Sequence, residues 1–83
     1  MRKSKLLQHA RNSPANVGFS DFCKLAEDFG FSLRGSHGSH RIYTRPGVHE
    51  LMNFQNVGDK AKPYQVRQFL AVIEKYNLTL GDD

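Results

Sequence analysis

Hydrophobic residues recur at helical spacing in three segments of the chain. The first segment, residues 3–12, is short and basic and ends before Pro14, because the residue preceding a proline is disfavoured in the α region. We expect it to form a peripheral helix. The second segment begins at Ser20, a good N-cap, and ends at Gly30, which suits the left-handed position after a helix.

The hydrophobic period changes to two after this helix, which predicts strands. Phe31 starts an alternating segment that leads into a glycine- and serine-rich turn at residues 35–38. A second strand is predicted at residues 40–45 and a third at residues 50–54, separated by Pro46-Gly47, the centre of a type II turn. These segments together predict a three-stranded antiparallel meander.

The third helical segment follows a loop at residues 56–62 that turns at Gly58-Asp59. Pro63 suits the first position of a helix, and Asn77 can take the left-handed conformation that ends it. The tail, residues 81–83, is predicted to fray.

The order α-α-β-β-β-α predicts an α+β fold with the helices on one face of a three-stranded antiparallel sheet and the other face open. Residues 1–83 suffice for one domain, with an N-terminal helix and connector at 1–18 and a core at 19–78. The α-β-β-β-α layout of this core is that of a double-stranded-RNA-binding domain. A chain of this size favours an open or shallow site over an enclosed one.

The charges are unevenly distributed and favour a polyanionic partner. The chain has 12 Lys and Arg against 8 Asp and Glu, yet no acidic residue occurs between Asp28 and Glu50. Clustered positive charge attracts nucleic acid because phosphates that bind to it release counterions. Solvated charged faces are also common in small basic domains, so charge alone gives nucleic acid only a slight preference.

Cysteine content and hydropathy bear on the location of the protein. Cys23 is the single cysteine, which excludes an internal disulfide and favours a reducing compartment. It lies in the second hydrophobic segment and is interpreted as a small buried residue. The N-terminus lacks the apolar run of a signal peptide, and no stretch approaches the roughly 20 apolar residues of a membrane span. We therefore expect a cytoplasmic protein that uses neither a membrane nor a small-molecule cofactor.

His40 is the strongest candidate for chemistry. Histidine exchanges protons near neutrality because its unperturbed pKa is about 6.5. Cleaving RNA without a metal needs a base that deprotonates the 2′-hydroxyl and an acid that protonates the leaving 5′-oxygen. It also needs hydrogen-bond donors that stabilise the charged phosphorane. Gly38 and Ser39 precede His40 and let a nucleic-acid backbone approach closely. Successive residues of a strand face opposite sides of the sheet, so His40 shares a face with Ile42 and not with Tyr43. Because Ile42 and Tyr43 are both plausible core residues, this alternation does not show whether His40 faces the core or solvent.

Basic residues near this run are candidates for holding RNA. Arginines can stabilise a charged phosphorane, and Lys60 and Lys62 precede the third helix, whose N-terminus also attracts phosphate. The same two lysines could equally be solvated loop residues. The residues predicted to contact RNA are Arg34, Gly38, Ser39, Arg41, Arg45, Lys60, Lys62 and Arg67.

Two further roles are considered for aromatic and histidine side chains. Three aromatic residues could stack on unpaired bases, although a core position is at least as plausible for Tyr43, Phe54 and Tyr64. Three histidines without a thiolate among them make a poor zinc site, so we expect no metal at His37, His40 and His49.

The residues around His40 resemble the signature of the HicA toxin family. That signature has a helix ending in Gly-Phe, an arginine and then Gly-Ser-His-x-x-Tyr, and it is matched here by Gly30-Phe31, Arg34 and residues 38–43. The resemblance extends over residues 19–78. It implies a fold like that of double-stranded-RNA-binding domains, a ribosome-independent mRNA interferase activity with one essential histidine, and a HicB antitoxin that covers this surface.

The duplicated Gly-Ser-His gives two candidate histidines. The family pattern has an aromatic residue three positions after the histidine, and only His40 has one, Tyr43. His37 has another histidine at that distance and, like Tyr43, is a candidate accessory residue. Residues 53–57 and 60–70 also resemble the C-terminal half of a HicA-like subgroup that carries an extra N-terminal helix.

Three hypotheses follow. The first is the toxin of a type II toxin–antitoxin system, a metal-independent endoribonuclease that cleaves mRNA with His40 as general acid or base. The second is an RNA-binding module of the same fold without catalysis. The third, ranked last, is an interaction protein whose basic face meets only an acidic protein; it predicts no salt-dependent affinity for RNA.

Overall fold

The computed structural model describes residues 2–81, which form three α-helices and four β-strands. The helices are α1 (Lys3–Asn12), α2 (Phe19–Asp28) and α3 (Pro63–Lys75), and the strands are β1 (Ser32–His37), β2 (His40–Thr44), β3 (Met52–Val57) and β4 (Lys60–Ala61). A 3-10 turn at Pro14–Asn16 joins α1 to α2. The predicted fraying of the tail falls mainly on Asp82 and Asp83, which lie outside the described residues.

The sheet is antiparallel with the strand order β1-β2-β3-β4. The expected α+β layout is confirmed, but the described sheet has four strands rather than three. The loop predicted before α3 contains the additional strand: Gly58 and Asp59 have φ values of 57° and 65°, as in a type I′ turn, so Lys60–Ala61 folds back on β3. This pairing also lengthens β3, which ends at Val57 instead of Phe54.

The two ends of α2 are stabilised by different means. Its N-cap is Gly18 and not Ser20, which lies inside the helix; the start of α2 is instead fixed by the backbone N–H of Phe19, which donates to the carbonyl of Asp59 at 2.8 Å. Its C-terminus is as predicted. Gly30 has a φ of 88°, and its N–H donates to the carbonyl of Glu27, one of the two hydrogen bonds of a Schellman motif.

The core lies between the helices and one face of the sheet, and α1 is part of it. The expectation that α1 is peripheral is wrong, because Leu6 and Ala10 are fully buried in the same cluster as α2 and α3. Phe69 of α3 is at the centre of this core. Its ring lies 5.5 to 6.0 Å, between centroids, from the rings of Phe22, Phe29, Phe31 and Phe54.

Glu50 ties the loop before β3 to the end of α3. Its carboxylate accepts hydrogen bonds from Lys75 Nζ at 2.8 Å and from the Tyr76 hydroxyl at 2.6 Å. These two bonds, that of Lys75 first, lower the pKa of Glu50 to about 2. A carboxylate whose pKa is lowered by folding stabilises the native state above its ordinary pKa and loses that effect as the pH falls through the folded value.

We therefore expect Glu50→Gln to weaken the acid sensitivity of the fold. Between pH 4.5, the ordinary pKa of this carboxyl, and pH 2, the melting temperature of the unmodified chain should fall more steeply than that of Glu50→Gln. Circular dichroism melts across this range measure the difference. Glu74→Gln, at an exposed carboxylate on α3, is the matched control and should keep the unmodified slope. Equal slopes for Glu50→Gln and the unmodified chain would contradict the prediction.

Candidate functional site

β1 and β2 form a hairpin whose tip is Gly38-Ser39. The predicted turn at residues 35–38 is wrong for its first three positions, which belong to β1. Gly38 has a φ of 60° and Ser39 has a negative φ, as in a type II′ turn, whose twist matches that of a hairpin. A Cβ at Gly38 would meet nothing within 4 Å, so the backbone conformation and not packing calls for glycine here, and the space beside the tip is open.

The burial of β2 assigns His40 to a face of the sheet. Tyr43 is completely buried and packs on Phe54, with ring centroids 5.4 Å apart. His40, Ile42 and Thr44 are half-buried and lie on the opposite face, since successive strand residues alternate between faces. Because Tyr43 and not Ile42 enters the core, His40 lies on the open face of the sheet.

Asn53 of β3 contacts His40 on this open face. The register pairs His40 with Gln55 and Ile42 with Asn53, so Asn53 lies diagonally across from His40. His40 Nδ1 donates a hydrogen bond to Asn53 Oδ1 over 3.1 Å. Because an amide oxygen can only accept, this bond requires a hydrogen on Nδ1, and in the neutral imidazole Nε2 then carries the lone pair. His40 is thereby oriented, with one nitrogen able to take up a proton.

The sequence pattern does not identify Asn53 as a site residue. Its neighbours Met52 and Phe54 are buried, and that alternation could have placed Asn53 on the open face. Its contact with His40, however, depends on the register between β2 and β3, which a single sequence does not specify.

β1 brings two sequence-predicted residues to the same hairpin. His37 pairs directly with His40 in the register of β1 and β2. Arg34 is the extra residue of a β-bulge between Leu33 and Gly35. All six residues of β1 are exposed, so both side chains are accessible from solvent.

Arg41 and Arg45 lie on the face that the helices cover, opposite to His40. The Arg41 guanidinium carbon lies 5.5 Å from the centroid of the Phe19 ring. Arg45 Nε donates to the carbonyl of Phe29 at 2.8 Å, which fixes the end of α2 against the end of β2. The structure therefore does not bring these two arginines together with His40, and Arg45 already has a structural partner.

Burial decides between the two interpretations of the aromatic residues. Tyr43 and Phe54 are completely buried, which excludes base stacking by either ring, whereas Tyr64 is 59% exposed. Burial, followed by a hydrogen bond with Cys23, raises the pKa of Tyr43 to about 12. Burial likewise raises the pKa of the Cys23 thiol, in agreement with its interpretation as a buried residue.

The basic residues near α3 are divided between different surfaces. Lys62 is the N-cap of α3, and its ammonium group lies 5.7 Å from the centroid of the Tyr64 ring. Lys60 Nζ donates to Asn16 Oδ1 at the β4 edge of the sheet. Arg67 is exposed on α3. Lys60 pairs with Val57 near the end of the sheet at which His40 lies, but its ammonium group is bound to Asn16, whereas Lys62 is linked to that end through α3.

That link is made by a buried glutamine. Gln65, in the first turn of α3, is 5% exposed, and its Oε1 accepts a hydrogen bond from the backbone N–H of Gln55 at 2.8 Å. Gln55 is the cross-strand partner of His40. The N-terminus of α3, with Lys62 immediately before it, is therefore held at the end of the sheet where β2 begins.

Two further observations concern groups of residues and whole helices. Among the residues that the structure describes, no three His, Cys, Asp or Glu side chains come together in a way that could hold a metal ion. None of the described helices combines the length and the apolar character that crossing a membrane requires.

Comparison with known proteins identifies one family model that matches the chain. The model, described as "HicA toxin of bacterial toxin-antitoxin", matches residues 19–74. These residues comprise α2, the four strands and α3 except for its last residue, and they include both His40 and Asn53. Neither the curated proteins nor the solved structures give a match.

Proposed function

The chain belongs to the HicA toxin family of bacterial toxin–antitoxin systems, and on that premise we propose that it is a metal-independent, ribosome-independent endoribonuclease that cleaves mRNA. As a toxin of this kind it acts under the control of an antitoxin, for which we propose a HicB-like protein. The observation that best supports the activity is the 3.1 Å contact between His40 Nδ1 and Asn53 Oδ1 on the open face.

This contact suits His40 to general-base chemistry. With its hydrogen on Nδ1, His40 presents the lone pair of Nε2 to an incoming 2′-hydroxyl. The 2′-oxygen that loses its proton attacks the adjacent phosphorus. The type II′ tip at Gly38-Ser39 leaves open space beside His40, which lets the sugar-phosphate backbone approach.

RNA binding is proposed for groups on both sides of β2, the strand that carries His40. Arg34 at the bulge and Lys62 before α3 supply positive charge on either side of His40, and the exposed ring of Tyr64 offers a stacking surface beside Lys62. Arg41 and Arg67 are exposed on the helix-covered side and add long-range attraction for a polyanion rather than contacts at the reacting phosphate.

The proposal is tested by incubating the purified chain with single-stranded RNA in a buffer containing EDTA. We expect cleavage that leaves 2′,3′-cyclic phosphate and 5′-hydroxyl ends, and expression of the chain in bacteria should arrest growth unless the antitoxin is co-expressed. Salt-dependent RNA binding without cleavage and without growth arrest would favour a non-catalytic RNA-binding module instead.

A further inference from the structure

The hairpin places two histidines side by side. His37 and His40 flank the two-residue tip and are paired in the register, so both imidazoles lie on the open face of the sheet. Directly opposed residues of antiparallel strands have Cβ atoms about 5 Å apart. The duplicated Gly-Ser-His of the sequence thus becomes a pair of neighbouring imidazoles, because the turn between the copies is two residues long.

The fold itself makes no use of the His37 imidazole. His37 is exposed on an edge strand, and its side chain has no hydrogen bond or ion pair with any residue that the structure describes. His40, in contrast, is half-buried and oriented by Asn53. The two members of the pair therefore differ in setting, since Asn53 orients His40 and no described residue orients His37.

The surroundings of the pair are cationic. The charged or titratable side chains of β1, β2 and β3 are Arg34, His37, His40, Arg41 and Tyr43, and the last two lie on the other face. Lys62 lies at the same end of the sheet. No carboxylate of these three strands competes for a proton with the two imidazoles; Asp59 lies in the turn that follows β3.

Cleavage by the proposed endoribonuclease needs two proton transfers, and His40 through Nε2 supplies one. We propose that His37 is the second proton-transfer group, the general acid of the same reaction; this inference rests on the proposed function. The 2′-oxygen loses its proton to His40 Nε2 and bonds to phosphorus, the bond from phosphorus to the 5′-oxygen breaks, and that oxygen takes a proton from the His37 imidazolium. The step consumes no proton overall.

The test compares two substrates that differ in their leaving group. One is an ordinary oligoribonucleotide, and the other carries sulfur in place of the bridging 5′-oxygen, a leaving group that departs without protonation. On the ordinary substrate His37→Ala should be about 10²- to 10⁴-fold slower than the unmodified chain, the usual contribution of a general acid. On the sulfur substrate most of this loss should disappear, whereas His40→Ala should stay slow on both.

Matched variants separate chemistry from folding. His37→Gln keeps a polar side chain on β1 and should show the same loss and the same recovery as His37→Ala. His49→Ala removes an exposed histidine from the loop between β2 and β3 and should cleave both substrates at the unmodified rate. Circular dichroism melts of all variants check that the fold is retained.

The possible results distinguish the two proposals. If the unmodified chain cleaves the ordinary substrate and His37→Ala does so at the same rate, the role of His37 is overturned while the proposed function stands. Equal losses for His37→Ala on the two substrates also overturn the role as general acid. If the unmodified chain cleaves neither substrate, the proposed function fails, and the role of His37 fails with it.

Discussion

Replacement of His40 by alanine is expected to lower the rate of RNA cleavage about 10²- to 10⁴-fold, the range in which general acid–base groups contribute. The same variant should no longer arrest growth when expressed in bacteria. The melting temperature should change little, because His40 is half-buried on the open face and packs against no helix. Single-turnover cleavage rates in EDTA and growth curves after induction measure the two effects.

Asn53→Ala gives a graded comparison for this prediction. It removes one hydrogen bond that orients His40, and such a bond has a net value of about 0.5–1.5 kcal/mol, so we expect a loss of about 2- to 10-fold in rate. If His40→Ala cleaves RNA as fast as the unmodified chain, His40 does not transfer a proton in the reaction, whatever the result for Asn53.

Replacement of Phe69 by alanine is expected to have the largest effect on stability. Phe69 is completely buried and touches four other phenylalanine rings, so its removal leaves a cavity that the surrounding side chains cannot close without moving together. Buried Phe→Ala changes cost about 3–5 kcal/mol, against a total stability of about 5–15 kcal/mol for a natural domain. The melting temperature should fall by roughly 12–40 °C.

Urea unfolding followed by circular dichroism measures this loss. Phe69→Leu leaves a smaller cavity and should lose less stability than Phe69→Ala. Tyr64→Ala truncates an aromatic residue of the same helix that is 59% exposed, and it should stay within about 0.5 kcal/mol of the unmodified chain. A loss for Phe69→Ala no larger than that for Tyr64→Ala would contradict the central position of Phe69 in the core.

Features that depend on one or two residues are predictable from the sequence alone. Gly30, Gly47 and Asn77 adopt the positive φ values that their positions after helices or within a turn require, and Pro63 occupies the first turn of α3. Each of these residues has a backbone preference strong enough to act locally. At these four positions the helix end or turn follows from that preference alone, whereas the preference of Ser20 for an N-cap is overridden by the pairing of Phe19 with Asp59.

Features that depend on distant partners are not predictable in this way. The basic helix α1 is part of the core through Leu6 and Ala10, with Leu7 packed beside them, although its composition favours a peripheral position. The strand β4 is two residues long and exists because a turn brings it against β3 and residues 17–19 pair with its outer edge. The helical spacing of residues 3–12 predicts a helix but not its packing, and β4 is too short to leave a periodic pattern in the sequence.

The candidate site combines both kinds of feature. The choice of His40 follows from its spacing to Tyr43, but its position on the open face required knowing that Tyr43 and not Ile42 enters the core. Its contact with Asn53 required the register of β2 and β3. Arg45 was predicted to hold RNA because of its charge alone, and its hydrogen bond with the carbonyl of Phe29 shows how a cation in a basic interval can serve the fold.

The alternation along β2 allows activity and stability to be changed independently. His40 and Tyr43 belong to one five-residue strand, yet one faces solvent and the other faces the helices. A variant inactivated at His40 would therefore keep its native core and, apart from that one position, its native outer surface. Such an inactive variant could be produced in quantity without harm to the host cell. It could serve to capture the antitoxin or to bind RNA without cleaving it.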